Sequence, residues 1–147
     1  MDKDDPTLYV LTSSTMLAES LVLWTQKLST FSKIFLWVLL TVQGLTLISV
    51  WKEINWFLRF SHVVFGSSLI LGSLFIENKY LLLLIAGVIL ISQSVRLYQK
   101  RCAYHSHVEE MKCTLEYYFM GCIPANAIYI VSFIVIVTRY LMGDLKE

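Results

Sequence analysis

Three apolar runs lie almost end to end between Ile34 and Val95, and they limit this chain's folds more than any other feature. The runs are Ile34–Trp51, Phe60–Ile76 and Tyr80–Val95, of 18, 17 and 16 residues, and none contains Asp, Glu, Lys or Arg. At ~1.5 Å of rise per residue, the first would extend about 27 Å as a helix, close to the hydrocarbon thickness of a bilayer. Charges fall only at the breaks: Lys33 before, Lys52, Glu53 and Arg59 between the first two, Glu77 and Lys79 between the next two, and Arg96 after. A fourth run, Pro124–Thr138, is also free of charge and rich in β-branched residues. Apolar stretches of this length with charges confined to their ends predict an all-α integral membrane protein with four transmembrane helices in an antiparallel bundle. The expected spans are 34–51, 60–76, 80–95 and 124–138.

Composition agrees. Charged residues make up 16% of the 147, against roughly a quarter in a soluble domain. The connections are too short for a second folded unit, so residues 1–147 read as a single membrane domain. The net charge of +1 gives no electrostatic case for nucleic acid. Three cysteines are too few for a disulfide framework. The acidic opening Met1-Asp2-Lys3-Asp4-Asp5 is unlike the basic start of a signal peptide.

Asp5-Pro6 suggests a helix start, with Asp5 capping and Pro6 in the first turn. The helix that follows, 8–24, is ambiguous. Its polar residues Thr12, Ser13, Ser14, Thr15, Glu19 and Ser20 scatter around a helical wheel, so it is not a clean amphipath. The favoured reading is a surface or partly buried helix with Glu19 as a solvated carboxylate. The competing one is a fifth span, with Glu19 as a candidate proton or cation site.

Within the second run, Ser61, Ser68 and Gly72 form a small-residue face suited to close helix packing. The tight turn at Glu77-Asn78-Lys79 predicts a hairpin with the third run, with Ala86 and Gly87 as the partner's contact points. After the basic cluster Arg96–Arg101 comes Ser106-His107-Val108-Glu109, a capping-box pattern. It opens an amphipathic interfacial helix over 107–120, with Val108, Met111, Leu115 and Phe119 on its apolar stripe. Its polar face carries Glu109, Glu110 and Glu116 rather than the Lys and Arg of a purely lipid-bound helix. Those three carboxylates, with Tyr118 and Phe119, are therefore assigned to a partner surface.

Orientation is weakly encoded. Lys and Arg number five on the side of the 77–79 turn (27, 33, 79, 139, 146) and six on the other (52, 59, 96, 100, 101, 112). Clustering of Arg96, Lys100 and Arg101 favours a cytosolic 96–123 connection.

Few residues could carry chemistry. Gln43, His62, Gln93, Arg96 and Asn126 are an expected polar intramembrane cluster, read first as interhelical hydrogen-bonding groups and second as the lining of a site. Cys102, His105, His107 and Cys113 could ligate zinc, but their spacing does not match the usual paired signatures. Haem would need an opposing histidine inside the membrane, and His62 has none. No cofactor other than lipid is expected. No nucleophile motif, paired membrane aspartates or phosphate loop is present, so no enzyme activity is indicated. The chain reads as a non-catalytic multi-pass protein: a structural or accessory subunit, or a membrane anchor, of a larger membrane complex or viral coat. Its expected partners are the bilayer and other membrane or membrane-apposed proteins. The alternative is a small oligomeric transporter or channel lined by Gln43, His62, Gln93 and Asn126.

Overall fold

The computed structural model describes residues 6–99, 125–143 and 145. Among them the fold is all-helical, with five helices and no strand: α1 Thr7–Thr25, α2 Thr30–Trp51, α3 Asn55–Phe75, α4 Lys79–Gln99 and α5 Ala125–Met142. α2 and α3 are long and apolar enough to cross a membrane by length and composition. The apolar stretches Lys79–Val95 and Ala127–Met142 are shorter. The interfacial helix expected over 107–120 falls outside the described residues.

α2, α3 and α4 begin earlier than their uncharged runs, and side-chain caps set the starts of α2 and α4. Ser29 caps α2: its hydroxyl accepts from the Ser32 N–H at 3.2 Å, which draws Lys33 into the first turn. Asn78 caps α4, its Oδ1 accepting from the N–H groups of Tyr80 and Leu81 at 3.1 and 3.0 Å. α1 differs from expectation. Pro6 itself occupies the capping position and no side chain caps the helix. α2 ends in a left-handed residue, Glu53, with φ 55°. The Ile54 N–H then reaches the Ser49 carbonyl at 2.8 Å and the Glu53 N–H reaches that of Val50 at 3.4 Å. Those two bonds form a Schellman closure on a non-glycine residue.

α1 packs along α2 and touches α4; α3 packs on α2, α4 and α5; α5 also lies on α4. One apolar core gathers Leu36, Leu69, Ile76, Leu81, Leu82, Ile85, Ile89 and Ile136. A smaller one joins Leu8, Val50 and Leu58. Arg139 of α5 donates from Nη1 to the Ser73 carbonyl at 2.8 Å, satisfying one of the carbonyls left over in the last turn of α3.

The small-residue face of α3 is buried as its spacing implies, at Ser61, Ser68 and Gly72. A Cβ added at Gly72 would lie 2.6 Å from Ile85 Cδ1 of α4 and 3.3 Å from Phe35 Cζ of α2. The α4 side differs from expectation. Nothing lies within 4 Å of a Cβ added at Gly87, so Ile85 rather than Gly87 makes the close approach.

Candidate functional site

The structure overturns the solvated reading of Glu19. This residue is only 6% exposed. The Gln43 side chain donates from Nε2 to Glu19 Oε1 at 2.9 Å, joining α1 to α2. α1 therefore turns Thr12 and Glu19 inward together with Leu8, while Leu17 and Trp24 are 74% and 87% exposed. The wheel looked scattered because Ser13 and Ser14 lie on the exposed side with the apolar residues. What matters is the face spaced 12, 15, 19, which recurs every three to four residues and points at α2.

Beside the pair lies a cavity of about 40 Å³ between α1, α2, α3 and α4. Its polar lining is Thr15, Glu19, Gln43, Thr46, Ser61 and Ser68; the rest is Leu, Ile, Val and Phe. Among the described residues no Lys, Arg or His lines it, and Glu19 is the one ionisable group there. Gln43 Oε1 and Glu19 Oε2 are buried and make no hydrogen bond. A buried carboxylate facing neutral side chains is costly unless something positive or hydrogen-bonding meets it.

The polar cluster expected from sequence is only partly assembled here. Gln43 lines the cavity; His62 and Gln93 do not. His62 is buried on α3. Gln93 on α4 is half-buried, and its Nε2 makes no hydrogen bond. Arg96 falls on α4 and Asn126 on α5, with side chains outside the described set. Cys102, His105, His107, Cys113, Glu109, Glu110, Glu116, Tyr118 and Phe119 all lie outside the described residues. Glu19 was legible as a candidate site because it is an acidic residue inside an apolar helix, whereas its pairing with Gln43 was not.

Comparison with models of protein families, with curated proteins and with solved structures finds no match.

Proposed function

We propose that the chain is a multi-pass integral membrane protein whose helices form a lipid-embedded bundle, and that it serves as a non-catalytic subunit or anchor of a larger assembly. One observation carries the membrane reading: the described helices expose large apolar side chains along their length and bury a set of polar ones beside the apolar core. Leu17, Trp24, Ile34, Trp37, Leu83 and Ile134 face outward, while Thr12, Glu19, Thr46, Ser61, Ser73 and Ser132 are buried. A water-soluble bundle buries its apolar stripe and exposes its polar one. Where lipid is the solvent, the outer surface gains nothing from polarity and interior hydroxyls serve packing and hydrogen bonding.

The ends of the helices support the same reading. Trp51, Trp56 and Tyr98 are exposed near one end, and Trp24, Trp37, Tyr80 and Tyr140 towards the other, as aromatic girdles would be. Lys27, Lys33, Lys52 and Glu53 are exposed at helix ends and connections. In this bundle α1 is a fifth span, which accounts for its apolar outer face.

The assembly role rests on the carboxylates Glu109, Glu110 and Glu116 in the sequence of 107–120, which suit a partner carrying Lys or Arg better than anionic lipid. Gentle solubilisation followed by identification of co-purifying proteins tests it directly. Charge reversal at Glu109, Glu110 and Glu116 is expected to release those partners while leaving membrane insertion intact. Retention of the same partners at the same salt would move the partner surface elsewhere. A small transporter is the second reading, favoured by the Glu19–Gln43 pair beside an interior cavity. Ion flux in proteoliposomes separates the two, since a structural subunit carries none.

A further inference from the structure

The hydrogen-bond inventory of the interior cavity is one-sided. The Thr15 hydroxyl donates to the Leu11 and Thr12 carbonyls, both at 2.9 Å. The Thr46 hydroxyl donates to the Val42 carbonyl at 2.7 Å. Ser61 donates to Leu58 at 3.0 Å, and Ser68 to Phe65 at 2.7 Å. Each of these hydroxyls has spent its single proton on its own helix and keeps only lone pairs for the cavity. One N–H of the Gln43 amide is engaged with Glu19 Oε1, and its second N–H is the side-chain donor that remains among the described lining residues. Glu19 Oε2 and Gln43 Oε1 make no hydrogen bond and are buried. The polar side chains lining the cavity thus present several oxygen acceptors, one of them a carboxylate, and no cationic group.

We propose that Glu19 and Gln43, with the hydroxyl oxygens of Thr15, Thr46, Ser61 and Ser68, form a site for one monovalent cation: a sodium ion, or the proton that replaces it on the Glu19 carboxyl. A cavity whose oxygen acceptors outnumber its one remaining amide donor is satisfied by a cation or by a further donor, and hard oxygen ligands suit an alkali ion. One carboxylate balances one positive charge, and no second acidic group lines the cavity to hold a divalent ion. The volume of about 40 Å³ accommodates one small ion with at most a few waters, since a water needs ~10–15 Å³ measured this way. Exchange between the two occupants is electroneutral: the carboxylic acid releases its proton as the ion enters. α1 and α2 supply Glu19 and Gln43, so occupancy ties α1 to the other helices. The inference rests on the interior alone, and the membrane reading is tested separately by lipid exposure of the outer faces.

The test is thermal unfolding of the full chain in detergent, in sodium chloride and in choline chloride of equal ionic strength, across a pH series. Choline is too large for the cavity. The wild-type melting temperature is expected to rise with sodium at alkaline pH and to rise on acidification in choline, because a ligand bound to the folded state stabilises it. Glu19→Gln removes the charge and is expected to lose both responses. Acidification without any sodium response identifies the proton as the resident cation. Gln43→Leu keeps the carboxyl and removes one ligand oxygen. It is expected to need roughly tenfold more sodium, or protons, for the same stabilisation. A wild type indifferent to both ions overturns the proposal. So does a Glu19→Gln protein that responds as the wild type does, or an unchanged midpoint in Gln43→Leu where Glu19→Gln does not fold.

Discussion

Two contacts hold neighbouring helices together here by opposite means. At Gly72, α3 meets α4 and α2 so closely that a single added methyl would collide with Ile85. At Glu19, α1 meets α2 through one hydrogen bond, with two oxygens left over and a cavity alongside. The first contact is specified by the absence of a side chain, and an added one displaces the ends of Ile85, Phe35 and Ile76. The second is specified by polarity; space is available there, and the loss of a polar partner is what it cannot absorb. Shape and hydrogen-bond satisfaction are thus separable within one small helical protein.

The largest expected effect is at the steric contact. Gly72→Leu forces the backbones apart and is expected to destabilise by ~3 kcal/mol or more. Thermal unfolding in detergent checks it, and a melting temperature equal to wild type would mean that α3 and α4 do not touch there. Next comes the polar contact. Glu19→Ala leaves the Gln43 amide without its partner and enlarges the cavity, for a loss of ~2–3 kcal/mol. Glu19→Gln, which keeps volume and hydrogen bonding, is expected to lose clearly less in the same measurement. If Ala and Gln behave alike, polarity does not specify the contact between α1 and α2.

Much of the helical layout was legible in the sequence, and the reasons are physical. Charge-free runs marked the helix cores, and the small-residue spacing of Ser61, Ser68 and Gly72 marked a packing face that is in fact buried. The start of α2 was read four residues late and that of α4 one residue late, because Ser29 and Asn78 cap from inside polar segments that charge counting treats as loop. The partner of Gly72 was misplaced by assuming that small residues face small residues; a glycine also admits the end of an isoleucine. Glu19 was read as solvated because its polar neighbours scatter around the wheel and an unpaired carboxylate inside a bilayer is costly. Judged against lipid, its apolar face with Leu17, Leu21 and Trp24 is the outer one, and a carboxylate on the opposite face is interior. The pairing of Glu19 with Gln43 spans 24 residues and required the packing of α1 on α2, which no local pattern states.

Two smaller effects sharpen the comparison, because they lie at helix ends away from both contacts. Asn78→Ala removes the cap of α4 and is expected to cost ~1 kcal/mol. Glu53→Gly relieves a left-handed non-glycine residue and is expected to stabilise by about 0.5–1 kcal/mol. Chemical unfolding of both variants reads these shifts. A destabilised Glu53→Gly would show that the Glu53 side chain, not the backbone turn, secures the α2–α3 connection.

The central claim is that the exposed apolar faces of these helices meet lipid, and that the buried polar side chains are turned towards neighbouring helices beside the apolar core. Nitroxide labels placed singly at Leu17, Leu83 and Ile134, in protein reconstituted into liposomes, test it through collision rates with molecular oxygen and with a water-soluble nickel chelate. Oxygen dissolves in the bilayer and the chelate does not. All three outward positions are predicted to collide strongly with oxygen and weakly with the chelate, with a label at Thr12 shielded from both. Strong chelate collisions at Leu17, Leu83 and Ile134 would place those faces in water and contradict the account.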